Sequence, residues 1–154
     1  MYAAALLLHS WLRWLVLGAG LLAVGRALGG RAKGRAWGPH DDRAGRLFGL
    51  TLDIQMLLGL LLYFVLSPVV SAARADIGAA MRTSALRFWL VEHLVAMTLA
   101  VVLVHLGRAR VRRALSDRQR FTRAAVYFGL ALLLVLASIP WPGLPYARPL
   151  LRLP

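Results

Sequence analysis

Apolar residues run through this chain in four long blocks rather than in the short periodic patterns of a soluble domain. The first block extends from Tyr2 to Val24 and is broken by His9, Ser10 and Arg13. The second runs from Arg46 to Leu66 around Asp53 and Gln55, and the third from Leu86 to Leu106 around Glu92, His93 and His105. The fourth, Ala124 to Ile139, is shorter. A membrane crossing needs about 20 residues at about 1.5 Å rise each. Ser116 followed by Gln119 has the form of a capping box, so the fourth helix is expected to begin near Asp117 as an arginine-rich turn. Pro140, Pro142 and Pro145 end it. The pattern predicts an all-α fold. It is one integral membrane domain over residues 1–154, with helices at about 2–25, 44–66, 85–106 and 117–139. No basic stretch precedes the first block, and Arg13 lies inside it, so it reads as a retained helix rather than a cleaved signal peptide.

The connections carry the charge. The first, Arg26 to Gly45, is rich in Gly and Arg, and its Asp41 and Asp42 are placed to cap the second helix. The second, Ser67 to Ala85, has room for a short surface helix after Pro68. Arginines and lysines crowd the first connection (Arg26, Arg31, Lys33, Arg35, Arg43, Arg46) and the third (seven arginines from Arg108 to Arg123). The second holds Arg74, Arg82 and, at its edge, Arg87; the tail holds Arg148 and Arg152. The positive-inside rule therefore places connections one and three in the cytoplasm and both chain ends on the non-cytoplasmic side. Trp11, Trp14, Trp89, Trp141 and Tyr146 fall toward that opposite end, as an interfacial aromatic belt would.

Composition narrows the function classes. Hydrophobic residues make up 60% and charged residues 16%, against about half and about a quarter in soluble domains. A net charge of +13 would suggest nucleic acid on its own, but the basic residues sit between the apolar blocks. That distribution favours a bilayer partner, including anionic lipid, and no nucleic acid. The absence of cysteine excludes disulfides, thiolate metal sites, iron–sulfur clusters and c-type haem attachment. No phosphate-binding glycine loop, nucleophile elbow or zinc motif is present.

Ionisable groups inside a span cost about 2.5–3.5 kcal/mol each on insertion scales, so each needs a reason. His9 and His93 lie about 10 Å in from the same end on different helices, counting about 1.5 Å per residue. Two imidazoles at one level can hold a six-coordinate haem between two helices. The competing reading is a pair of interior histidines satisfied by neighbours such as Glu92 or Ser10. Ala96 and Ala100 follow His93 at helical spacing and would leave room for a flat ring. Arg13, one turn below His9, is expected to meet a haem propionate, or else to pair with Glu92 or Asp53 and fix helix register. His105 is twelve residues beyond His93 with no other histidine at its depth, so a second bis-histidine haem is not expected. It is placed near Asp53, where the two would form part of a proton path. Gln55 is a candidate interhelical hydrogen-bond donor, and Gly59 a point of close helix approach.

Four segments together resemble a known family. They are LHSWLRWLVL at residues 8–17, LDIQMLLGLLLYF at 52–64, RFWLVEHLVAM at 87–97 and ASIPWPGLP at 137–145. The set is similar to small bacterial four-helix membrane proteins labelled cytochrome b-like, and the similarity extends over nearly the whole chain. The resemblance implies a bacterial inner (plasma) membrane location. It also implies functional roles for His9, Arg13 and Trp14 in the first segment and for Glu92 and His93 in the third. Unlike the diheme cytochromes b, this chain lacks paired histidines on each of two helices. The leading expectation is a membrane b-type haem protein taking part in electron transfer. One haem near the outer leaflet would be ligated through its iron by His9 and His93, with Arg13 and Glu92 beside it, and other membrane redox subunits would be partners. The alternatives are a cofactor-free structural or accessory subunit of a larger membrane complex, and a proton or small-solute conduit.

Overall fold

The computed structural model describes residues 1–151, so Arg152 of the charge pattern lies outside the described residues. The first helix, α1 (Tyr2–Ala32), continues well past the predicted end near residue 25. The extension is held by side chains that hydropathy does not weigh. Arg26, in its last third, donates through Nε to Asp41 Oδ1 at 3.0 Å. Gly30 receives the ring of Phe121 at a distance that leaves no room for a methyl group. Gly34 then turns the chain with φ +60, a left-handed conformation that costs glycine little.

The second span, α2 (Pro39–Leu61), starts earlier than the predicted residue 44 because its cap lies in the polar stretch ahead of the apolar block. Pro39 occupies the first helical position, where its missing N–H is no loss. Asp41 accepts the Gly38 N–H at 3.0 Å and the two Arg35 nitrogens at 2.7 Å each. Those hydrogen bonds hold the Arg35 guanidinium above its usual range. Asp42 instead accepts Trp37 Nε1 at 3.1 Å. The span closes in a π-helical segment, Leu62–Leu66, where Ser67 N–H reaches back to the Leu62 carbonyl.

Two short helices follow, α3 (Pro68–Ala75) and α4 (Ile77–Arg82), the first of them the surface helix expected after Pro68. Ser67 Oγ and Asp76 Oδ1 cap them. Val70, Ala73 and Ala80 pack onto Leu90. The third span is α5 (Ser84–Arg87), a second π-helical segment Phe88–Glu92, and α6 (His93–Arg112). The fourth is α7 (Asp117–Ala137), which starts where the capping pattern placed it. Ser116 Oγ accepts Gln119 N–H, and Gln119 Oε1 accepts Leu115 N–H, one residue before the position of an ideal capping box.

These four spans are long and apolar enough to cross a membrane. They form a square in which α1 packs on α2 and α7, and α6 packs on α7 and α2. Helices α1 and α6 are therefore diagonal. The interior is filled largely by small residues (Ala19, Ala23, Ala27, Ala44, Ala100, Ala124, Ala131) around Phe48 and Phe128. Large residues point outward: Leu15, Leu21, Leu57 and Leu133 are each more than 60% exposed. Small side chains inside with leucines outside is the arrangement expected where lipid, not water, surrounds the bundle. The chain is a multi-pass membrane protein by this architecture. Both described chain ends lie at one end of the square, called here the aromatic end; the first and third connections form the basic end.

Candidate functional site

Near the aromatic end, a cavity of about 130 Å³ lies within the square. Its wall is drawn from all four spans and from the segment after α7. His9 comes to it from α1 and His93 from the diagonal helix α6. The two ring centres are 6.4 Å apart with planes at 69°. His93 stands directly after the second π-helical segment, and Tyr63 of the first donates through its hydroxyl to the Leu90 carbonyl in the second at 2.9 Å. Both irregular segments thus border the histidine pair, a frequent placement for π-helical turns at functional sites.

Each imidazole is set by its neighbours. His93 Nδ1 lies 3.0 Å from the Ser138 carbonyl oxygen. A carbonyl can only accept, so Nδ1 carries the proton and Nε2 keeps its lone pair. That is the tautomer a metal-ligating histidine adopts. His9 is anchored through its backbone: its carbonyl accepts Gln55 Nε2 at 3.0 Å. Its ring lies against Gly59, where an added Cβ would stand 3.2 Å from Cε1. His9 Nδ1 and Gln55 Oε1 are buried without hydrogen-bond partners. Two unmet polar atoms in one cavity wall are costly in an apolar surrounding and mark it as more than a packing defect.

The segment after α7 folds back over the mouth. Arg13 donates to the Leu150 carbonyl, and Trp14 Nε1 donates to the same oxygen at 3.3 Å. Tyr146 stacks on Phe88 with ring centres 3.6 Å apart and planes within 6°. The Arg148 guanidinium lies 5.3 Å over the Trp89 ring, and Trp89 is itself 5.7 Å from the His93 ring. Aromatic rings and two arginines therefore collar the histidine pair on its open side.

No family model, curated protein or solved structure matches this chain.

Several expected neighbours are elsewhere. Glu92 is not beside Arg13 or His93; it is exposed and accepts Arg87 Nε at 2.6 Å. Adjacent residues on a helix point about 100° apart, so His93 facing inward turns Glu92 outward. The expected Arg13–Glu92 or Arg13–Asp53 register pair is likewise absent: Asp53 meets His105, with Oδ1 2.9 Å from Nε2. That second pair is more than one-third exposed on the outer side of α2 and α6 and does not border the cavity. Ala96 and Ala100 do not line the cavity either; Met97 follows His93 on its face, and Ala100 is buried in the core.

Sequence reasoning missed Ser138 and Arg148. Ser138 acts through its backbone carbonyl, which carries no residue signature. Arg148 reaches the cavity because the tail reverses, and the three prolines signalled only that α7 stops.

Proposed function

We propose that this cavity seats a single b-type haem and that the protein is a membrane electron carrier. The observation that carries the reading is the histidine pair. A metal–imidazole bond is about 2 Å and a ring centre lies about 1 Å behind its nitrogen, so two imidazoles on one ion stand about 6 Å apart. The ring centres here are at 6.4 Å. Among the described residues no third His, Cys, Asp or Glu joins them to make a metal-binding group. A bare ion would be left with two protein ligands, whereas an iron whose four equatorial positions are filled by a porphyrin needs two axial imidazoles. The donor set therefore fits haem better than a free metal ion.

At about 130 Å³ the cavity is smaller than a porphyrin. Seating one requires the tail over the mouth to move outward; among the described contacts that tail meets the bundle at Arg13, Trp14, Phe88 and Trp89, and Leu150 packs against the core. His9 and His93 would hold the iron. The cations Arg13 and Arg148 stand at the mouth, where they would offset propionate charge. Phe88, Trp89 and Tyr146 would shield the group from water. Haem held this way supplies one-electron transfer. The four sequence segments that resemble cytochrome b-like proteins lead to the same expectation. The arginine distribution supports an orientation with the basic end in the cytoplasm of a bacterial inner membrane, which puts the site near the outer leaflet and within reach of membrane redox partners.

The conduit reading finds no support in the middle of the bundle. Val16, Phe48, Leu52 and Val104 are each 0–1% exposed and separate the cavity from the basic end.

The test is the visible absorption spectrum of the full-length protein, purified after expression with haem supplied. A reduced-minus-oxidised b-type spectrum is expected in the wild type, and its loss in His9→Ala and in His93→Ala. A colourless wild-type protein overturns the proposal and leaves the accessory-subunit reading. Unchanged spectra in both variants would move the haem to another place.

A further inference from the structure

At the basic end a second, wider groove of about 690 Å³ opens on the outer side of the bundle where α1, α2 and α6 converge. Its lining has a fixed order along the helix axes. On α2, Arg43 and Arg46 share a face with Leu47 and Leu50, and the leucines lie up to about one turn deeper toward the middle of the membrane. On α1, Leu22 lies one turn deeper than Arg26. Helix α6 brings Arg108, whose side chain runs across α2 at Gly49: Nη1 is 3.4 Å and Cδ 3.7 Å from where a Cβ would stand. Arg26, Arg43 and Arg46 therefore lie toward the basic end and Leu22 and Leu50 about one turn deeper, with Leu47 and the Arg108 guanidinium at the levels between. Leu22, Leu47 and Leu50 are 48%, 45% and 58% exposed.

The charge in the groove is only partly balanced by protein. Arg26 is paired with Asp41. Arg43, Arg46 and Arg108 make no ion pair among the described residues. The groove's carboxylate, Asp53, is engaged by His105 and sits seven residues beyond Arg46, about 10 Å deeper.

We infer that this groove is a binding site for one anionic phospholipid, with its phosphate held by Arg43, Arg46 and Arg108 and its acyl chains lying over Leu22, Leu47 and Leu50. The chemistry follows from the order of the residues. Guanidinium groups recognise phosphate oxygens with directed, charge-assisted hydrogen bonds. A free phosphate would use the arginines and leave the leucine level unused; a phospholipid uses both. Basic pockets between transmembrane helices are a recurrent form of lipid headgroup site. The three unpaired cations favour a net-negative headgroup over a zwitterionic one, whose own ammonium group would be repelled.

The experiment is lipid binding to the full-length protein in neutral detergent, followed by native mass spectrometry and by thermal unfolding. Phosphatidylglycerol, phosphatidylcholine and inorganic phosphate are compared. Phosphatidylglycerol is expected to remain bound and to raise Tm, and phosphatidylcholine at the same concentration to do neither. Inorganic phosphate is expected to give less than half the Tm rise. Arg46→Gln combined with Arg108→Gln should weaken phosphatidylglycerol binding by tenfold or more. The charge-matched control, Lys33→Gln with Arg118→Gln at the same end but outside the groove, should change it less than threefold. Equal binding of the two lipids overturns the inference. So does an equal loss in the control, which would mean diffuse attraction rather than a site. An inorganic phosphate effect equal to that of phosphatidylglycerol would replace the lipid with a phosphate ion. Should the Arg46/Arg108 double variant fail to fold, the three-ligand comparison on the wild type decides the matter, with Arg46→Gln alone as the variant.

Discussion

Gly29 and Gly30 are neighbours in the last turns of α1, and adding one methyl group to each should have different consequences. A Cβ at Gly29 meets nothing within 4 Å. A Cβ at Gly30 would lie 2.2 Å from Phe121 Cε1 and 2.4 Å from Cζ, well inside the distance two carbons tolerate. Phe121 cannot easily swing away. It is 1% exposed, its ring centre is 4.9 Å from that of Trp37, and the Arg35 guanidinium lies 4.8 Å over its face. Both substitutions gain the same helical preference of Ala over Gly, about 0.8–1 kcal/mol. The difference between the two variants therefore isolates the steric term, for which overpacking a filled site costs about 1–3 kcal/mol. Gly29→Ala should be as stable as the wild type or slightly more so, and Gly30→Ala less stable than Gly29→Ala by that amount. Reversible unfolding in mixed micelles with increasing sodium dodecyl sulfate measures the difference directly. A gap under about 0.5 kcal/mol would mean that Phe121 is not locked against α1, and the account of why α1 outruns its apolar block would fail with it.

Two further outcomes follow from the same contacts. Asp41→Asn should lower Tm by more than Asp117→Asn, because the Asp41 carboxylate is 2% exposed and holds two arginines, whereas Asp117 is 42% exposed and holds one; equal losses would show that the buried cluster contributes nothing special. Gly59→Ala should retain the b-type spectrum proposed above, since its Cβ would stand 3.2 Å from His9 Cε1 and a shift of a few tenths of an ångström relieves it. Gly59→Val adds branches that the ring cannot evade, and should abolish the spectrum while the protein still purifies as a folded bundle. A Gly59→Val protein with a wild-type spectrum would remove His9 from the ligand pair.

The four spans were legible in the sequence because lipid imposes a length and a composition that no local choice can evade. The surface helix after Pro68 and the start of α7 at Asp117 were legible as well, because caps and prolines act within a few residues. The C-terminal end of α1 and the start of α2 were not. They depend on the Arg26–Asp41–Arg35 cluster and on the Gly30–Phe121 contact, both of which join residues far apart or outside the apolar blocks.

The candidate site divides in the same way. Depth along a helix is a count of residues, so the sequence by itself put His9 and His93 at one level. Azimuth is set by packing, and only the tertiary structure turned His93 toward His9 and Glu92 toward Arg87. Packing also brought Arg13 to a carbonyl of the returning tail rather than to Glu92 or Asp53. The tail's path was beyond reach for a plainer reason. Its described contacts with the bundle include a ring stack, a cation over an indole and a backbone oxygen, none of which has a spacing that a linear sequence can display.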